Sequence, residues 1–85
     1  MKKQFRQAFN KLQKMGVPVF ERSDEPGRFL ISAERAESYL WVDSYNCSMR
    51  RFGGETVHPE ITDVLSDNGL YAEWENAGCL IVYEA

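Results

Sequence analysis

His58, Cys47 and Cys79 are the side chains of this sequence that could serve as nucleophile or base, and Glu73 and Glu75 are the pair that could serve as acid and base. A cysteine–histidine pair works only when the two lie within hydrogen-bond reach and a third group orients the imidazole. Nothing in the spacing signals that arrangement. His58 is the single histidine and stands directly before Pro59, where it reads as a helix cap or a surface residue and not as a general base. The same cysteines and histidine are too scattered for the paired ligand spacing of a zinc site. Glu73 and Glu75 alternate onto one face of a strand, which matches the acid end of a nuclease or glycosidase only loosely. No lysine follows Lys14 to complete a metal-nuclease arrangement. Arg50-Arg51 ahead of Gly53-Gly54 lacks the Gly-Lys-Ser/Thr ending of a phosphate loop, so the glycines read as a loop and a break in regular structure. No catalytic residue, metal ligand or cofactor is assigned, and the chain is not expected to be an enzyme.

Charge is sorted along the chain. All lysines lie within the first fourteen residues, and no lysine or arginine follows Arg51. Residues 1–20, 21–54 and 55–85 carry net charges of +5, −1 and −7, together the −3 of the whole chain. Like charges gathered on one surface create a field that draws an opposite partner, whereas interspersed charges cancel within a Debye length of roughly 8 Å. Two cysteines are too few for a disulfide framework and are expected to be reduced thiols. No apolar run approaches the roughly 20 residues that span a bilayer, and no signal-peptide core follows the N-terminal charges. A soluble, cytoplasmic protein without a membrane partner is the expectation.

The elements that must position these groups fit one small α+β domain over residues 1–85, ordered αββ(β)αββ, with two helices on one face of an antiparallel sheet of about four to five strands. Phe5, Ala8, Phe9, Leu12 and Met15 follow helical spacing, and Gly16 ends that helix. Its opposite face carries Lys3, Arg6, Gln7, Lys11 and Lys14. Pro18 suits an edge strand or strand start, and a hairpin is expected over residues 17–32 around the polar cluster 23–27. Ser32 is placed to cap a short helix over 33–37, a strand is expected from about Tyr39, and residues 46–52 read either as a further strand or as loop. Pro59 opens a second helix with Ile61, Val64 and Leu65 inward, closed by Asn68-Gly69. Glu60, Asp63 and Asp67 form a stripe on its outer side. Residues 70–75 and 79–83 flank Asn76-Ala77-Gly78, a three-residue hairpin loop with glycine in the left-handed position. That register sets Glu75 opposite Cys79, Trp74 opposite Leu80, Glu73 opposite Ile81, Ala72 opposite Val82 and Tyr71 opposite Tyr83. The core is expected to hold Phe5, Phe9, Leu12, Phe29, Leu30 or Ile31, Trp41, Ile61, Leu65, Trp74, Leu80 and Val82.

The small size, the lack of catalytic groups and the acidic C-terminal third point to an interaction domain that works by occupying a partner's surface. Glu60, Asp63, Asp67, Glu73 and Glu75, with Tyr71 and Tyr83 as rigid contact area, would present charge to a basic protein, a nucleic-acid-binding one being the natural choice. Small inhibitors made by phages and mobile elements act this way, an analogy of size and charge alone. The alternative is an accessory protein that touches nucleic acid through Lys3, Arg6, Lys11 and Lys14, with Arg50 and Arg51 joining them. The sequence pI near 5.1 weighs against direct binding to a polyanion.

Overall fold

A computed structural model describes residues 1–44 and 56–85. The expected end of the strand from Tyr39, the strand-or-loop segment 46–52, Cys47, Arg50, Arg51 and the Gly53-Gly54 break therefore lie outside the described residues.

Helix α1 runs Lys3–Met15, with Phe5, Ala8 and Leu12 buried along one face. Gly16 ends it at φ 95°, a left-handed conformation that a Cβ would disfavour. The N–H groups of Gly16 and Val17 donate to the carbonyls of Gln13 and Leu12 at 3.1 and 3.0 Å, the paired bonds of a Schellman motif. Strands β1 (Val19–Glu21) and β2 (Phe29–Ser32) form the first hairpin, in the register Val19 to Ile31, Phe20 to Leu30 and Glu21 to Phe29. Pro18 stands just before this edge strand and offers its carbonyl to the Ser32 N–H at 2.9 Å.

Residues 33–44 depart from the expectation. Instead of a helix over 33–37 and a strand from Tyr39, the chain makes bends and a 3-10 helix at Ser38–Leu40. The cause is Ser38, which is 1% exposed. Its hydroxyl donates to the Ser32 carbonyl at 2.6 Å and accepts from the Arg35 N–H at 3.2 Å. The backbone of Trp41 and Val42 then donates to the Ser38 carbonyl, both at 2.9 Å. These local bonds outcompete the β-bias of the aromatic run, and only Val42 pairs, in an isolated bridge with Val57.

Helix α2 runs Pro59–Asp67, with Ile61 and Leu65 buried. His58 is its N-cap: Nδ1 accepts from the Glu60 N–H at 3.1 Å, and the ring lies 5.1 Å from that of Trp41. Strands β3 (Leu70–Asn76) and β4 (Cys79–Glu84) close the fold. Four expected pairs are present, Tyr71 to Tyr83, Ala72 to Val82, Glu73 to Ile81 and Trp74 to Leu80. The last is not. Asn76 takes the place opposite Cys79, and an irregularity between Trp74 and Asn76 leaves Glu75 as the extra residue. The Asn76 side chain accounts for this, since its Oδ1 accepts from the Gly78 N–H at 2.9 Å and tightens the turn to two residues. Gly78 is not left-handed. A Cβ there would come within 2.7 Å of the Glu34 side chain, whose exposed outer atoms are free to move aside.

Among the described residues the sheet has four strands in the order β1-β2-β4-β3, every pair antiparallel. Both helices cover one face. Phe5, Ala8 and Leu12 of α1 and Ile61 and Leu65 of α2 share one core with Phe29, Ile31, Leu80 and Val82, while Phe9, Trp41 and Trp74 are partly buried at its margin. Phe29 receives two edge-on rings, Phe5 at 6.2 Å and Phe9 at 5.4 Å. Leu30 points the other way, so Ile31 is the core residue of that pair.

Candidate functional site

Strand alternation places Phe20, Leu30, Ile81 and Glu73 in one row across the sheet face that the helices leave uncovered. Tyr83 and Tyr71 lie in the next row, their rings stacked at 5.6 Å and 29°. Ile81 is 1% exposed although it belongs to this outer face, so the face has an apolar floor. Toward β1 it is covered by two arginines. Arg35 stands over the Phe20 ring at 4.6 Å, and the Arg22 side chain is only 11% exposed while its guanidinium grips Asp24 at 2.8 and 3.2 Å and Glu25 at 3.3 Å. The Arg22 fork holds the Asp24 carboxyl below its usual range, and Asp24 in turn keeps the guanidinium more firmly protonated. Toward β3 the face is open: Tyr71 is 43% exposed, and Glu73 and Glu75 are exposed.

Among the described residues neither Glu73 nor Glu75 is in an ion pair. Glu75 does have a neighbour in Cys79, a free thiol. Burial pushes this thiol up, and the nearby charge of Glu75 adds to the shift. Tyr71, Tyr83 and Glu73 are thus brought together as the hairpin register requires, while Glu75, displaced from its expected place, stays near Cys79 at the far end of the strand. Glu60, Asp63 and Asp67 are also exposed, but on α2, across the sheet from that group. There Glu60 and Asp63 line an open groove of about 250 Å³ with Lys11, Met15 and Val64. Lys11 of α1 and Glu60 and Asp63 of α2, far apart in sequence, thus border one groove. Lys3, Arg6, Lys11 and Lys14 are all exposed on α1.

No protein family, curated protein or solved structure matches this chain. The site is therefore described by its chemistry alone. Among the described residues no three His, Cys, Asp or Glu side chains gather as a metal ion would need, and no helix is long and apolar enough to cross a membrane. The sequence reading missed Arg22 and Arg35 as the cover of the outer face. The signal for Arg22 was present: it follows Phe20 by two residues, so a strand extended by one pair sets both on the same side. The Arg22 N–H indeed donates to the Arg28 carbonyl at 2.8 Å, continuing the ladder.

Proposed function

We propose that this chain is a non-catalytic interaction domain that presents the acidic outer side of β3 to a basic protein partner, acting as an inhibitor of a nucleic-acid-binding protein. The supporting observation is the stacked Tyr71–Tyr83 pair on the same hairpin as Glu73 and Glu75, carboxylates that pair with no cation among the described residues. Rigid aromatic area next to unpaired charge is what a partner surface rich in Lys and Arg would recognise. The α2 stripe is the weaker candidate, because Lys11 shares the groove of Glu60 and Asp63 and offsets part of their field. The same neighbours count against the accessory reading, since those two acids lie beside the helix that would have to meet phosphates. A cytoplasmic setting goes with this function, since two cysteines are too few for the disulfide framework of a small secreted domain.

The test is capture of partners by the tagged protein from its own cell extract, with and without nuclease, for three forms: wild type, Glu73→Gln with Glu75→Gln, and a form with Lys3, Arg6, Lys11 and Lys14 reversed to Glu. The proposal expects a protein partner that survives nuclease, is lost from the Gln form through slower association with flatter salt dependence, and is kept by the reversed form. Loss from the reversed form alone would replace it with the nucleic-acid reading.

A further inference from the structure

Among the described residues strand β3 is an edge strand, paired with β4 on one side and with no strand on the other. The bond from the Ala85 N–H to the Gly69 carbonyl, 2.9 Å, sets the alternation along the β3–β4 ladder. Residues in step with Gly69, namely Tyr71 and Glu73, exchange bonds with β4. Leu70, Ala72 and Trp74, out of step, turn their N–H and C=O groups away from the sheet. Among the described residues nothing bonds to those groups. An edge of this length is a template for another strand.

Alongside that edge runs a groove on the helix side. One part, about 500 Å³, is bordered by Thr56, Pro59, Asp63 and Trp74, and another, about 310 Å³, by Leu65, Ser66, Leu70 and Tyr71. Val57, Thr62 and Ala72 border both, so the two parts adjoin along β3. A strand laid against β3 would send alternate side chains into this groove, between α2 and Ala72. The side chains between them would emerge on the outer face beside Tyr71, Glu73 and Glu75.

We infer that the β3 edge takes up an extended segment of a protein partner in which apolar residues alternate with Lys or Arg, adding a fifth strand to the sheet. This rests on the acidic-face function proposed above and specifies how the partner is held. Charge complementarity selects the occupant: Glu73 and Glu75 flank the edge on the outer side and Asp63 on the groove side. A second copy of the chain is the poorer occupant, because edge-to-edge pairing of two β3 strands with Ala72 opposite Trp74, or Trp74 opposite Trp74, sets Glu73 against Glu73 or Glu75. Backbone bonds supply attachment and the alternating side chains supply choice, as in strand addition generally.

The probe is a synthetic peptide as long as β3, valine alternating with lysine, read by amide hydrogen exchange of the intact protein. Exchange at Ala72 and Trp74 is expected to slow by about tenfold or more, with Tyr71 and Glu73, already bonded to β4, as internal reference. The same peptide N-methylated at every second amide should not bind, and Ala72→Pro, which removes an outward N–H while leaving the β4 bonds, should abolish the protection. If Ala72→Pro fails to fold, the N-methylated peptide decides. Equal protection by a valine–glutamate peptide would overturn the inference, as would no binding by any peptide. Binding of a peptide with its valines and lysines in separate blocks, without protection at Ala72 and Trp74, would overturn strand addition and leave the acidic-face function standing.

Discussion

Lys2 and Glu84, 82 positions apart, meet in a 3.0 Å ion pair, with Arg28 a further 3.9 Å neighbour of the same carboxylate. The pair is largely exposed and contributes little to stability on its own. Its meaning lies in what it does to the charge pattern. The basic start and the acidic end of the chain do not form two opposed poles, because the fold sets them side by side here and again where Lys11 borders the groove with Glu60 and Asp63. Among the described residues, the carboxylates left without a cation partner on the open part of the outer face are those of β3.

Phe5 is the most informative core position. It is fully buried, meets Phe29 edge-on and carries the Arg28 guanidinium 4.6 Å from its ring centre. Phe5→Ala should cost about 3–5 kcal/mol, a large share of what a domain of this size has. Urea unfolding measures it, and a midpoint equal to wild type would refute the core described above.

Gly78 and Gly16 should respond differently to alanine. At Gly78 the new methyl group meets only the outer atoms of the exposed Glu34 side chain, which can swing aside, so Gly78→Ala should stay within about 0.5 kcal/mol of wild type. At Gly16 nothing lies near a Cβ and the left-handed backbone alone is at stake, so Gly16→Ala should lose about 1–2 kcal/mol. Urea unfolding compares the two, and a loss in Gly78→Ala as large as that in Gly16→Ala would show that Glu34 cannot move aside.

Asp24 should make stability pH-dependent in the acid range. Its folded pKa is lowered by Arg22, so the contribution is fully present above the unfolded carboxylate pKa of about 3.9 and is lost as pH falls through the folded value. Asp24→Asn should flatten the acid limb of the melting temperature against pH and leave its shape above neutrality unchanged. An acid limb identical to wild type would exclude the Arg22–Asp24 pair as its source.

Cys79 should be a slow thiol. Burial and Glu75 both hold it protonated, so alkylation at mildly alkaline pH should lag behind an unstructured cysteine, and Glu75→Gln should speed it. Measured in a Cys47→Ser background by mass spectrometry, an unchanged rate in Glu75→Gln would show that the carboxylate does not act on the thiol.

Helix α1, the two hairpins, the cap at His58 and α2 were readable because each is declared by local chemistry: helical spacing ended by glycine, alternation around a polar turn, or proline at a helix start. The same alternation set Tyr71, Glu73 and Tyr83 on one face before any coordinates. What escaped was decided by single side chains reaching the backbone. The Ser38 hydroxyl bonds to a carbonyl six residues back and turns an aromatic, β-prone run into a 3-10 helix. The Asn76 amide shortens a turn by one residue and displaces Glu75 from its place opposite Cys79. Neither contact has a periodicity to betray it. The burial of Arg22 and the groove that Lys11 shares with Asp63 depend on how separate elements dock, which residue spacing within one element does not encode.

Because β2 lies beside β4, with α2 and β3 between them in the chain, Ile31 must find Leu80 across 49 residues. Each hairpin closes over its own turn within microseconds, but joining the two requires a long loop to be closed before the contacts repay it. Refolding speed is then governed at this seam. Thinning it with Ile31→Val should slow folding in stopped-flow traces, whereas Phe20→Ala, on the outer margin of the edge strand, should act mainly by hastening unfolding.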